Sequence, residues 1–260
     1  MHYRQLTDIT HTYDLVCLSP HLDDAALSCG GTLVAARQAG LRTLVVTVCT
    51  AVPPAAQQYS ALAVEFHAEW GLDHADAVTV RHAEDLHAMQ LLGVDSLWLD
   101  LDDAIYRMPD AYNTRDTLFA DPRADDTMAH DLPPLLQAVA ARVNALRWLV
   151  PAGVGMHVDH LLVLAAAEAV LPRTALELYE EVPYALTLAF LETRRAMLRP
   201  VLHTTDIGPA LATKIAAVQS YASQMAALFG DPATVGSQLV DYHRAIGGGS
   251  AAERWYTRPQ

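Results

Sequence analysis

The sequence predicts an α/β protein built on a mostly parallel sheet flanked by helices. Three observations carry that prediction. Apolar runs of strand length alternate with helix-periodic segments along most of the chain, the signature of β-α-β units. Arg42–Cys49 (RTLVVTVC) is β-branched and almost continuously apolar, as a central strand covered on both faces must be. The length of 260 residues and a hydrophobic content of 52% suit one large domain with a sizeable core. We therefore expect a single domain over residues 1–260, with a tail from about 229 to 260 packed back onto the body.

The elements follow in order. Asp14–Ser19 reads as the first buried strand, and Ala25–Ala39 as its helix, stopped by Gly40. After the strand Arg42–Cys49, Tyr59–Trp70 predicts a helix, Ala77–Arg81 a short strand, Ala83–Leu92 a helix closed by Gly93, and Ser96–Leu101 a strand. Residues 102–127 break the rhythm with many aspartates, two prolines, Tyr106, Arg107, Tyr112 and Arg115. A long segment without clear periodicity is more often functional than accidental. A substrate lid and a solvated surface cover both fit it. Helix resumes over Met128–Leu146, and Arg147–Val150 is a strand. Beyond it we expect a strand at 175–179, a helix near 184–198, a strand at 201–206 and a helix at 209–228. There is no internal repeat and no low-complexity segment.

Charge and composition exclude several functions. The formal charge is −13 and Lys214 is the only lysine, which argues against a nucleic-acid footprint and against a basic patch for anionic lipid. No G-x-x-x-x-G-K string exists to cradle a nucleotide. Met1–Tyr13 lacks the hydrophobic region of a signal peptide, and the apolar stretch Leu161–Leu171 is too short to span a bilayer, so no membrane insertion is expected. Cys17, Cys29 and Cys49 form an odd, unpatterned set and read as reduced thiols of a cytoplasmic protein. Cys29 lies near the first motif described below, which leaves a metal role open beside the ordinary role of a small core residue.

Two short strings carry the chemistry. Pro20-His-Leu-Asp-Asp24 follows the first strand, so His21, Asp23 and Asp24 sit at a strand's carboxyl end, where open α/β sheets place their ligands. His21 and Asp24 are three apart and can converge on one ion, while Asp23 is left for proton chemistry. Helix capping by Asp23 or Asp24 is the competing reading. It leaves the clustering of a histidine with two acids unexplained. The second string, His157-Val-Asp-His160, follows the strand Arg147–Val150 at the same sheet edge, with its histidines again three apart and Asp159 between them. The chain has twelve histidines, and His67, His74, His82, His87, His130 and His203 lack such settings. Two histidines and a carboxylate leave an open position for water, the form of a catalytic zinc site. Such an ion acidifies water and polarises a carbonyl. An added base and acid would complete amide hydrolysis.

These strings resemble those of the PIG-L/LmbE-like zinc deacetylases, whose members include N-acetylglucosaminyl-phosphatidylinositol deacetylase and sugar deacetylases of the mycothiol and antibiotic pathways. Ser19-Pro-His-Leu-Asp-Asp-Ala25 matches the family's first motif and His157-Val-Asp-His160 its second. Arg81-His-Ala-Glu84 with Leu91-Leu-Gly-Val94, the segment Leu99–Asp103, Glu180-Glu-Val-Pro-Tyr184, and Lys214 through Ser223-Gln224 are similar to further family segments, so the resemblance runs over most of the chain. It implies a Rossmann-like, three-layer sandwich. It implies one Zn²⁺ per chain on His21, Asp24 and His160, although the ligand types also suit Fe²⁺, Mn²⁺ or Co²⁺. Asp23 would be the base. His157 would stabilise the oxyanion or protonate the leaving amine, oriented by Asp159. Arg81 and Asp103 would contact the sugar. From the loop, Tyr106 and Arg107 would add stacking and bidentate hydrogen bonding.

The implied activity is removal of acetyl from an N-acetylated amino sugar or glycoconjugate, with self-association into a homo-oligomer left open. A non-catalytic sugar-binding relative and an amidase on another sugar-linked amide are the alternatives. An Mg²⁺-dependent receiver domain also pairs acids after its first strand, but Lys214 does not follow the late strand where that fold needs a lysine. Two departures from the family pattern stand out. Ala25 replaces an acid after the paired aspartates, and Gly155 stands where some relatives carry a tyrosine, whose role would pass to His157 or to a tyrosine from elsewhere such as Tyr106.

Overall fold

The computed structural model describes residues 1–54 and 57–259. Its strands are β1 (His2–Tyr3), β2 (Leu15–Ser19), β3 (Thr43–Cys49), β4 (Asp95–Leu101), β5 (Arg147–Pro151), β6 (Leu176–Tyr179), β7 (Val201–Asp206) and β8 (Ala252–Thr257). The helices are α1 (Asp24–Gln38), α2 (Ala61–Glu69), α3 (Ala77–Leu92), α4 (Ala104–Arg107), α5 (Arg115–Leu118), α6 (Met128–Val143), α7 (Val158–Val170), α8 (Leu188–Leu198), α9 (Leu211–Gln219), α10 (Ala222–Phe229) and α11 (Val235–Ile246). The strands form one sheet in the order β1-β4-β3-β2-β5-β6-β8-β7. Pairing is parallel from β1 through β6, and β8 runs antiparallel to both β6 and β7.

Side chains alternate across the central strands and so divide the core into two layers. Val16, Leu18, Leu44, Val46, Trp148 and Val150 pack on one face with α6 and α7. Leu15, Cys17, Val45 and Leu149 pack on the other with α1, α3, α9 and α10. This is the period of two expected of strands buried on both sides, and it makes the sandwich three layers deep. Gly31 of α1 is needed for the close approach of the segment after β7, because a Cβ there would lie 2.7 Å from Ile207. A third apolar cluster, including Leu62, Val78, Ile105, Tyr112 and Val158, lies under the 102–127 segment.

The position of the site follows from strand order. From β2 the chain moves to β3 on one side, whereas β5 lies on the other, in register Leu15↔Arg147 and Cys17↔Leu149. The carboxyl ends of β2 and β5 therefore flank the crevice at a topological switch point. No helix of the described residues is long and apolar enough to cross a membrane.

Three expectations change. Ala77–Arg81 is the first turn of α3 rather than a strand. Val78, Thr79 and Val80 read locally as β, but Val78, Arg81, Asp85, Ala88, Met89 and Leu92 form one buried helical stripe, and packing decides. The helix expected at 209–228 breaks into α9 and α10 at Tyr221, whose hydroxyl donates to Asp85 Oδ1 at 2.8 Å. The tail does more than pack on the body, since β8 enters the sheet between β6 and β7.

Candidate functional site

The two strings meet where β2 and β5 end. Ser19 donates to the His21 carbonyl at 2.6 Å and accepts from the Ala25 amide at 3.0 Å, which folds Pro20–Asp23 tightly onto the start of α1. Asp24 is turned back by the His21 amide, which donates to its Oδ2 at 2.8 Å. That same oxygen lies 3.3 Å from His21 Nδ1 and 3.3 Å from His160 Nε2. Neither Asp23 nor Asp24 acts as a side-chain cap of α1.

The partners of these imidazoles fix which nitrogens face inward. His160 Nδ1 lies 3.3 Å from Glu181 Oε1, and a hydrogen bond there leaves Nε2 as the free nitrogen. Buried His160 Nε2 has no hydrogen-bond partner even though Asp24 Oδ2 is close. His21 Nε2 donates to Asp159 Oδ2 at 3.0 Å, so its Nδ1 faces Asp24. Two imidazole nitrogens and a carboxylate oxygen thus converge, each imidazole held from behind by a carboxylate. This is how histidines that ligate metals are oriented. The orphaned Nε2 and the donor types fit a divalent cation.

The electrostatics point the same way. Burial alone would raise Asp24, but His160 and His21 hold its carboxyl far below the ordinary range. Burial would lower His160, but Asp24 and Glu181 push it up to about 9. His21 is likewise raised against its burial by Asp103, Asp159 and Asp24. The cluster therefore stabilises positive charge at its centre. His21, His157 and His160 place ring nitrogens within 4.8 Å of one another, as do His21, Cys49 and Asp159 their ligand atoms. The second group is the poorer cation site, because the Arg107 guanidinium already lies 2.7 Å from Asp159 Oδ1. Cys49, rather than Cys29, is the thiol near this cluster.

Asp23 is only 6% exposed, and Arg81 Nη2 lies 3.7 Å from its Oδ1. Burial raises its pKa against the pull of Arg81. His157 is the N-cap of α7, and its Nδ1 accepts from the Asp159 amide at 3.2 Å, which leaves the ring proton on Nε2. Burial and then the repulsion of His21 hold it neutral. His21, Asp23, Asp24, His157, Arg81 and Asp103 line one cavity of about 290 Å³, with Asp103 Oδ2 3.5 Å from His21 Nε2.

Three expected arrangements are corrected. The Asp159 carboxylate bonds His21 rather than His157. Its other oxygen binds Arg107, and the Ala104 amide donates to Oδ2 at 3.0 Å. Arg107 does not line the cavity, for its guanidinium is buried and bidentate on Asp126 at 2.8 and 2.9 Å. Tyr106 is 5% exposed and bonds His67 Nε2 at 2.6 Å, so it faces the third core cluster rather than the cavity. The segment 102–127 is thus partly a buried brace for the site.

Other residues complete the cavity beyond the predicted sugar contacts. Trp70 lies 4.9 Å beneath the Arg81 guanidinium, and Phe119 packs edge-on against His157 at 5.2 Å. Tyr184 also lines the cavity, and a Cβ on Gly155 would lie 2.6 Å from its ring. Gly155 thereby admits the ring of Tyr184, rather than that of Tyr106, to the cavity wall. Only Glu181 and Tyr184 carried a sequence signal, through Glu180-Glu-Val-Pro-Tyr184.

Comparisons with known proteins show which proteins the chain resembles. The profile of the PIG-L family, described as GlcNAc-PI de-N-acetylase, matches residues 16–171. The 2'-N-acetylparomamine deacetylase of Niallia circulans is 32% identical over 235 residues, covering 83% of this chain and 82% of that protein. Among solved structures, the zinc-inhibited form of teicoplanin deacetylase Orf2 superposes with a TM-score of 0.77 at 26% identity, covering 94% of this chain and 97% of that one. The antimicrobial reagent A40926 pseudoaglycone deacetylase Dbv21 superposes at 0.72 with 28% identity, covering 95% and 97%.

Proposed function

The chain belongs to the PIG-L family, and from that premise we propose that it is a metal-dependent hydrolase that removes acetyl from an N-acetylated amino sugar or sugar conjugate. The observation that carries this reading is the convergence of His21 Nδ1, Asp24 Oδ2 and His160 Nε2 beside the buried carboxyl of Asp23. Those three residues would hold the ion. Zn²⁺ suits them, and other divalent ions share the same preference for imidazole and carboxylate. A divalent cation there supplies Lewis-acid polarisation of the acetamide carbonyl and acidifies water.

The chain's own residues do the rest. Asp23 accepts the proton of the attacking water as its oxygen bonds the carbonyl carbon. Burial raises this carboxyl, which favours taking up that proton, and Asp23 then passes it to the more basic amine nitrogen as the C–N bond breaks, leaving acetate and a free amino sugar. His157 Nε2–H donates to the carbonyl oxygen as negative charge grows on it. Its neutral state favours this role over that of general acid. Asp159 orients His21 and Glu181 orients His160. Arg81 and Asp103 are placed to bind sugar hydroxyls, with Trp70 backing the arginine.

The test is Asp23→Asn, read with amine release from N-acetylglucosamine-type substrates. The variant should retain its ion and lose at least about 100-fold in turnover, the scale of a general base. Full activity in the metal-loaded variant would refute the role of Asp23.

A further inference from the structure

A second cavity, of about 590 Å³, adjoins the first and shares Arg115, Phe119 and Tyr184 with it. Phe119 and Tyr184 meet edge to face at 5.7 Å between the two. The walls of the second cavity are mainly apolar, from Phe119, Met156, Tyr184 and Phe190, yet Arg194 also lines it.

Arg194 is an unusual group to find there. It is 8% exposed. Its Nε donates to the Ala152 carbonyl at 2.5 Å, and Nη1 faces the weak acceptor Met156 Sδ at 4.0 Å. Among the described residues it makes no ion pair. Glu181 acts on it through space, but that carboxylate is engaged by the amides of Gly153 and Val154 and by His160. Of the other charged groups in the lining, Arg115 is neutralised by Glu65 at 2.8 Å and Glu69 at 2.5 Å, and Asp116 is exposed. A buried guanidinium without a carboxylate is costly to keep. The backbone nonetheless makes room for it, since a Cβ on Gly153 would lie 2.8 Å from Arg194 Nη2.

We propose that this cavity is a second substrate subsite, which takes an apolar arm of the sugar conjugate ending in a carboxylate, with the carboxylate on Arg194 and the arm against Phe119, Met156 and Phe190. The inference deepens the proposed function and rests on it, since the N-acetyl group occupies the first cavity while the arm crosses over the Phe119–Tyr184 pair that parts the two cavities. Guanidinium donors match a carboxylate in geometry, and apolar walls strengthen the pairing by excluding water. A neutral arm would leave the arginine unpaired.

The experiment compares two aryl glycosides of N-acetylglucosamine, one 4-carboxyphenyl and one 4-(hydroxymethyl)phenyl. The wild type should favour the carboxylate by about 10-fold or more in kcat/KM, chiefly through KM. Arg194→Gln should bring the ratio towards one. Phe190→Glu, at a half-exposed rim position, should do the same by setting a competing carboxylate in the cavity, which guards against misfolding of the arginine variant. No preference in the wild type, or a preference kept in both folded variants, would overturn the subsite. Calorimetry with free 4-ethylbenzoate separates this from a failure of the deacetylase reading. Binding weakened about 10-fold by Arg194→Gln supports the subsite even if neither glycoside is hydrolysed, and binding that is absent or indifferent to both variants refutes it.

Discussion

Asp159 Oδ2 accepts a hydrogen bond from His21 Nε2 at 3.0 Å, so the acid of the second motif orients the histidine of the first. Asp24 of the first motif returns the relation by facing His160 of the second at 3.3 Å. Two strings far apart in sequence are thereby locked together across the ends of adjacent strands. Asp159 is in turn held by Arg107 at 2.7 Å, which also grips Asp126. Arg107→Ala should strand both buried acids and destabilise the fold by about 3–5 kcal/mol in denaturant unfolding. An arginine that merely touched sugar would instead raise KM and leave stability unchanged.

Glu181 accepts from the Gly153 amide at 2.6 Å and pairs with His160 Nδ1, so it sets both the loop and the tautomer of His160. Glu181→Gln should weaken metal affinity by about 10–100-fold, the usual cost of losing a partner behind a ligating histidine. Competition with a chelator of known affinity measures this. Affinity equal to that of the wild type would mean that Glu181 only shapes the loop.

Gly155 has φ of +86°, and an added Cβ would strike the Tyr184 ring. Gly155→Ala should therefore lower thermal stability by about 1–3 kcal/mol through strain, and lower kcat/KM by moving Tyr184 out of the cavity wall. Unchanged activity in the folded variant would separate Tyr184 from the site.

Stability should also fall on acidification through His243. Burial, then Lys214, lowers this histidine from 6.5 to about 4. The folded state prefers the neutral ring, while the unfolded chain takes up its proton near 6.5, so the contribution is complete above 6.5 and is lost as pH falls towards 4. The loss is at most about 3 kcal/mol. Asn at this position can still donate to the Ala252 carbonyl, the partner of His243 Nδ1 at 2.9 Å. The drop in urea midpoint from pH 7 to pH 5 should be smaller for His243→Asn than for the wild type, and equal drops would count against this source.

The ends of β2 and β5 were legible because buried strands need continuous apolar runs, and the metal-competent residues follow those runs directly. Local pattern misled where long-range packing decides. Val78 and Val80 read as strand until the buried face of α3 is known. Arg107 and Tyr106 read as exposed loop groups, because Asp159 and His67 lie in other segments and Asp126 lies 19 residues on in the same aperiodic one. The partner of His157 was misassigned for a geometric reason. Neighbours along a helix start point apart, so Asp159 reaches His21 across the crevice rather than the histidine two positions before it. Arg194 left no trace in sequence, since an arginine in a helix is ordinarily a solvated surface group.

The central claim is that His21, Asp24 and His160 hold the ion on which amide hydrolysis depends. The most direct measurement is metal content by mass spectrometry of wild type and His160→Ala, paired with amine release from N-acetylglucosamine-type substrates. About one divalent ion per chain is expected in the wild type, lost together with amine release in the variant. Amine release from a metal-free wild type, or full metal and activity in His160→Ala, would contradict it.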